Sequence, residues 1–238
     1  MASRPVFVVS LDNKFCIRNN VEFTFFSGFS EKQTRKTIES LHQAFLSSNT
    51  QSRILEISSK SADDLGVRLS SFNLMITTKS GRRFSVESAF QASKVFEHGG
   101  PYIDLLDVPS GVAKKDPRLR NSGGIIGFSI YNRKFNSEPK TYFYNWLYIN
   151  TLSLHPELAD QVVNYNAFTD IAFNPQKSIN CQAEAAAIYV SLYKQGLLQE
   201  ALRNKDAFLE VVYQVNTNTN TARSNSMIDT QLDMFDVG

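Results

Sequence analysis

Glu87, Gln91 and Lys94 follow one another at spacings of four and three in the stretch "RRFSVESAFQASKVFEHGG", residues 82 to 100. On a helix these three side chains project within about 60° of each other, with the two charges about 10 Å apart along the axis. An acid and an amine on one narrow stripe can do covalent chemistry if they lie out of water. Desolvation lowers an amine's pKa, so part of the Lys94 population is free to attack a carbonyl or an opened sugar, and Glu87 can carry the protons. Val86, Ala89, Phe90, Ala92, Val95 and Phe96 fill most of the remaining circumference. A helix apolar nearly all round is a buried one, which puts the stripe inside the protein or along a cleft. The same spacing also fits a partly exposed helix whose Glu and Lys are merely solvated.

The elements that must hold the stripe are legible on both sides of it. Ser85 can cap the helix by accepting from the amides that follow, and Gly99, Gly100 and Pro101 stop it, so the sequence predicts a helix over 85–98. Upstream, "SSFNLMITTKSGRRFSV" predicts a hairpin turning at Ser80-Gly81 and feeding directly into that helix. "PVFVVS", "KFCIRNNVEFTFFSG" and "SRILEIS" predict strands, with Asp12-Asn13 and Asn19-Asn20 as turn residues, and Ser30 with Gln33 predicts a capping box before a helix carrying Ile38, Leu41 and Phe45. Helices are expected on both sides of Pro156 in "EPKTYFYNWLYINTLSLHPELADQVVNYNAF", and two more are expected around Gly196. The fold class is therefore α+β, predominantly helical, as a single domain over 1–215 with a small N-terminal sheet. Residues 216–226, "NTNTNTARSNS", have almost nothing to bury and are expected to form a flexible linker opening a tail over 216–238.

Composition excludes several classes of function. A formal charge of +2 over 238 residues does not mark a nucleic-acid binder by itself. Locally, Lys114, Lys115, Arg118, Arg120, Arg133, Lys134 and Lys140 outnumber Asp116 and Glu138 between 111 and 140. That excess could grip a polyphosphate or a DNA backbone, or be a solvated surface. Gly123, Gly124 and Gly127 in "SGGIIGF" could let amides approach a phosphate, although the spacing suits a simple turn better. His42, His98 and His155 are scattered, so no metal site and no cofactor are expected. Cys16 and Cys181 are far apart and predict reduced thiols; with no segment that would span a bilayer, a cytoplasmic protein without membrane contact is expected.

The segment "SVESAFQASK" resembles the signature of the NADAR (YbiA-like) family, E-H-Y-F-Q-A-x-K, carried here by Glu87, Phe90, Gln91 and Lys94. "LSSFNL", with Phe72 and Asn73, is similar to the family's L-S-N-F. "FTDIAFNPQKSINCQAEAAAIYVSLY", with Asp170, Phe173 and Asn180, is similar to its D-x-x-W-G followed by G-K-N-x-L-G and a helix. The likeness spans 53–200. Ser88 replaces the usual His, Phe173 the usual Trp, and the Gly before Lys177 is missing, departures that resemble the branch accompanying DarT-type toxins, which ADP-ribosylate bases of single-stranded DNA. The resemblance implies hydrolysis of an N-glycosidic bond at a ribose. Lys94 would form a Schiff base and Glu87 would shuttle protons, with Phe72, Asn73, Gln91, Asp170, Phe173 and Asn180 around the substrate. Several of these could equally be core or capping residues.

The function expected on this basis is a DNA ADP-ribosylguanine hydrolase that acts as antitoxin, with ADP-ribosylated single-stranded DNA as substrate and a DarT-type toxin as functional partner. Two alternatives remain: an N-glycosidase on a small ribosylated metabolite, and an antitoxin that neutralises its toxin by binding it. In the tail, Gln231, Leu232, Asp233, Met234 and Phe235 resemble the bacterial sliding-clamp binding pentapeptide Q-L-S/D-L-F, with Met at the fourth position. A clamp partner reached through a tether is expected from it, against the alternative that the tail folds back on the domain.

Overall fold

The computed structural model describes residues 1–28 and 30–216, so the 231–235 pentapeptide and nearly all of the linker lie outside the described residues. The chain runs β1 (Ala2–Val9), β2 (Cys16–Phe23), α1 (Glu31–Leu46), β3 (Ile54–Glu56), α2 (Asp64–Arg68), β4 (Met75–Thr77), β5 (Arg83–Ser85), α3 (Val86–Ala92) and β6 (Lys94–Phe96). After a 3-10 turn at Ile103–Asp107 come α4 (Ser110–Ala113), α5 (Arg118–Asn121), β7 (Ile125–Ile130), β8 (Arg133–Asn136), α6 (Tyr142–Ser153), α7 (Pro156–Val162), β9 (Ala167–Thr169), α8 (Gln182–Lys194), α9 (Leu198–Ala201) and α10 (Lys205–Tyr213). It is a mixed α+β fold with more helix than strand, as the sequence predicts. These residues gather into two compact units, 1–70 with 152–196 and 71–151 with 197–216.

The first unit is built on a four-stranded sheet in the order β2-β1-β9-β3, antiparallel except for the β3–β9 pair. Alternation along β1 sends Val6 and Phe7 to opposite faces, and both are buried. Val6 joins Phe23, Leu41 and Phe45, so the apolar stripe of α1 closes one face. Phe7 meets Phe173 edge to face at 6.3 Å. One expectation fails here: Asn19 and Asn20 make no turn but sit inside β2 opposite Val6 and Pro5. β2 is an edge strand with most of its residues exposed or partly so, where polar side chains meet water at little cost and turn propensity does not decide.

The second unit carries the β4–β5 hairpin, with its turn at Gly81 at φ +83°, and a three-stranded sheet β6-β7-β8. An aromatic cluster supports that sheet: Phe128 and Phe143 stack at 4.6 Å, and Phe135 lies 4.8 Å from Phe143 and 4.6 Å from Trp146. The predicted 85–98 helix is corrected to seven residues, Val86–Ala92. The Ser93 hydroxyl donates back to the Ala89 carbonyl, and Lys94, Val95 and Phe96 then pair as β6 with Phe128, Gly127 and Ile125. Val95 and Phe96 serve a strand at least as well as a helix, and the open edge of β7 decides between them.

Candidate active site

Each end of α3 is fixed from outside the helix. The Ser85 hydroxyl caps it by accepting from the Ser88 amide at 2.9 Å, as its sequence position predicts. Ser85 is also joined to Ser110 of α4 (2.7 Å between hydroxyls), and Ser110 donates to the Phe72 carbonyl at 3.2 Å. The Glu87 amide donates to the Ser71 carbonyl at 2.9 Å. The segment 71–73, the start of α3 and the start of α4 are thereby held as one assembly. Past the helix, Gly100 at φ +77° lets the chain return against Lys94: a β-carbon there would fall 2.2 Å from the Lys94 carbonyl oxygen.

Within this frame the polar stripe is connected. Glu87 is only 4 % exposed and Gln91 5 %. Gln91 Nε2 donates to Glu87 Oε1 at 2.8 Å, and Lys94 Nζ donates to Gln91 Oε1 at 2.7 Å. A carboxylate can only accept and an ammonium can only donate, so these two neighbours fix which way the Gln91 amide points. Ser71 Oγ donates to Glu87 Oε2 at 3.3 Å. Lys94, just past the helix rather than on it, still reaches the stripe, and its ammonium lies 4.7 Å from the centre of the Phe90 ring. That ring is itself walled in by Phe128, Phe143 and Tyr144. Burial pulls the Lys94 pKa down to about 8; Glu87 opposes the shift and Lys114 adds to it.

Sequence reasoning missed two contributors. Ser71 is one, and Lys114 is the other: its Nζ lies 3.5 Å from Glu87 Oε1 and 5.1 Å from the centre of the Phe72 ring. Lys114 was legible only as one charge of a basic stretch, and nothing in its spacing ties it to Glu87. Phe72 is half-buried at this place and Asn73 beside it is exposed. Elsewhere in the basic stretch, Arg118 is held by Asp104 at 2.6 Å and Asp116 at 2.9 Å, whereas Lys115, Arg120, Lys134 and Lys140 are exposed. The Gly124 amide is taken by the Glu97 carboxylate at 2.9 Å, so "SGGIIGF" is a turn entering β7.

Asp170, Phe173 and Asn180 belong to the first unit. Asp170 Oδ1 accepts from the amides of Ala172 and Phe173 at 3.0 and 3.2 Å, a turn-capping arrangement. Phe173 is buried against Phe7. Asn180 Oδ1 is shielded and takes no hydrogen bond from the protein. Beside them lies a buried cluster that sequence reasoning passed over. Glu56 Oε2 accepts from Thr169 Oγ1 at 2.6 Å and Glu56 Oε1 from the Ile171 amide at 2.8 Å, while His42 Nε2 lies 2.8 Å from the same Thr169 hydroxyl. Burial pushes Glu56 up, pushes Asp170 up to about 7 with help from the Glu56 charge, and pulls His42 down to about 4. A Glu in the middle of the apolar strand "RILEIS" was the available signal.

Cys16 and Cys181 are free thiols. Among the described residues no His, Cys, Asp or Glu side chains gather as metal ligands would, and no helix is long and apolar enough to cross a membrane. Residues 2–222 match the family model NADAR-DarT1, described as DarT1-associated NADAR antitoxin. No curated protein matches the chain. The match covers nearly the whole chain, and the protein belongs to this family.

Proposed function

For this member of the DarT1-associated NADAR antitoxins, we propose an enzymatic mode of action: hydrolysis of the N-glycosidic bond that joins ADP-ribose to a guanine of single-stranded DNA. The carrying observation is the Lys94 amine, held in a partly dry site with its pKa lowered to about 8 and linked through Gln91 to the buried Glu87. The free amine attacks C1 of the ribose and the bond from C1 to the base nitrogen breaks. The adduct opens to an imine on Lys94, water adds to the same carbon, and the bond to Lys94 breaks, releasing ADP-ribose and restoring the amine. Glu87 takes the proton lost from the Lys94 nitrogen and passes it to the departing base; it then accepts one from the incoming water and returns it to the Lys94 nitrogen as the bond to C1 breaks.

The half-buried Phe72 ring and the exposed Asn73 are proposed to meet the nucleotide. The free thiols fit a cytoplasmic setting. Gln231 to Phe235 are proposed to tether the enzyme to the sliding clamp, where single-stranded template is exposed during replication.

A second reading follows from the family itself, because an antitoxin can also act by binding its toxin without chemistry. Incubation with an ADP-ribosylated single-stranded oligonucleotide decides between them. Release of ADP-ribose with recovery of the unmodified base is the expected result. No release from DNA, together with protection of cells that survives Lys94→Ala, would establish the binding mode. Release only from small ribosylated nucleotides would make a metabolite the substrate.

A further inference from the structure

Two lysines flank the one buried carboxylate of the second unit's site, and they are not equivalent. Lys94 is largely out of water behind Phe90, whereas the Lys114 side chain is 55 % exposed. Lys114 is nevertheless placed by construction. It follows α4 directly, its amide donates to the Ser110 carbonyl at 3.0 Å, and Ser110 is pinned to both the α3 cap and the Phe72 backbone. Ala113, beside it, is fully buried and anchors the short helix. The ammonium so placed has the Phe72 ring on one side and Glu87 Oε1 on the other, at 5.1 and 3.5 Å.

We propose that Lys114 is a positioning residue for the Lys94–Glu87 pair: its ammonium orients the Glu87 carboxylate and adds a second positive charge within reach of the Lys94 amine. The inference rests on the Lys94 imine reading of the function. Glu87 accepts simultaneously from Gln91 and Ser71 and faces Lys114, so its two oxygens are both engaged and its carboxylate plane is set by three elements rather than one. A cation at this distance orients the carboxylate it faces, and it disfavours protonation of a nearby amine. Lys114 acts on Lys94 in that direction, while Glu87 acts against it. Other charges around α3 are already matched: Asp104 and Asp107 of the adjoining 3-10 turn are held by Arg118 and Arg82, and β7 faces Lys94 with Phe128. Among the described residues, Lys114 is the cation that forms an ion pair with Glu87.

The test uses the full chain with Lys114→Met and Lys114→Arg. Two measurements are made across pH 6 to 10: competitive acetylation of Lys94 read by mass spectrometry, which needs no substrate, and turnover of an ADP-ribosylated oligonucleotide. In Lys114→Met the pH at which Lys94 becomes reactive is expected to rise by about half a unit or more. At neutral pH kcat is expected to fall about tenfold with KM changed by less than about threefold. Lys114→Arg is expected to restore both. An unchanged Lys94 acetylation profile in Lys114→Met overturns the proposal. An unchanged profile with a raised KM would make Lys114 a substrate-phosphate contact instead. Should wild-type protein release no ADP-ribose while the acetylation shift is still seen, the electrostatic coupling stands and the proposed reaction falls.

Discussion

Lys94 Nζ donates to Gln91 Oε1 at 2.7 Å although Lys94 belongs to a strand and Gln91 to the helix before it. Because the opposite end of the same amide donates to Glu87, the acid and the amine are spaced by one side chain rather than in direct contact. A direct ion pair would raise the proton affinity of the amine; an interposed neutral amide lets burial prevail and leaves Lys94 near 8.

Imine chemistry on that amine makes two connected predictions. Borohydride added during turnover is expected to leave the mass of ADP-ribose on Lys94, and Lys94→Ala is expected to yield none; equal trapping in the variant would discard Lys94 as the nucleophile. The turnover rate is expected to climb with pH up to about 8, because the lowered folded-state pKa leaves a protonated, inactive amine below it.

Gln91 carries a separate prediction. Gln91→Leu keeps the bulk but leaves a buried carboxylate oxygen and the Lys94 amine each short of a partner, which is expected to cost about 1–3 kcal/mol of stability, measurable by urea denaturation. Turnover by the folded variant is expected to fall by more than about tenfold. Full activity with unchanged stability would show that the bridge is incidental.

Much of this site is legible in the sequence, and the exceptions share a physical cause. The hairpin before α3, the Ser85 cap and the Glu87–Gln91 stripe are local features, set by spacing and capping over a few residues. The end of α3 is not local: Val95 and Phe96 suit either conformation, and a partner strand some thirty positions downstream, around Gly127, settles it. Lys114 and Ser71 escape notice because only the turns at 71–73 and 103–113 bring them to Glu87. The predicted turn at Asn19-Asn20 fails for the converse reason, a tertiary pairing overriding a residue preference.

The exposed basic side chains lead to a prediction about salt. Lys115, Arg120, Lys134 and Lys140 can meet phosphates, whereas Arg118 is occupied by Asp104 and Asp116. Affinity for an ADP-ribosylated oligonucleotide is expected to fall steeply with salt, and affinity for free ADP-ribose much less. Replacing Lys115 and Arg120 by Ala together is expected to flatten the slope for single-stranded DNA by about 1.4 units on the logarithmic plot, and Arg118→Ala to change it less. Equal slopes for the two ligands would remove the basic stretch from the DNA-binding surface.

In the first unit, the neighbours Glu56 and Asp170 make stability depend on pH in an unusual direction. Carboxylates commonly bind protons less tightly in a folded protein, but burial and the adjacent Glu56 raise Asp170 from 3.8 to about 7. Between those two values the folded chain holds a proton that the unfolded chain releases, so stability from this group is fully present below about 4 and is lost as pH rises through about 7. Asp170→Asn keeps an acceptor for the Ala172 and Phe173 amides and removes the titration. Glu184, raised by burial to about 7, contributes the same trend in both proteins, so the informative quantity is the difference between them. Urea midpoints measured at pH 5 and pH 8 are expected to drop more for the wild type than for Asp170→Asn. Parallel drops would mean that Asp170 titrates as an ordinary surface carboxylate and that Glu56 does not act on it.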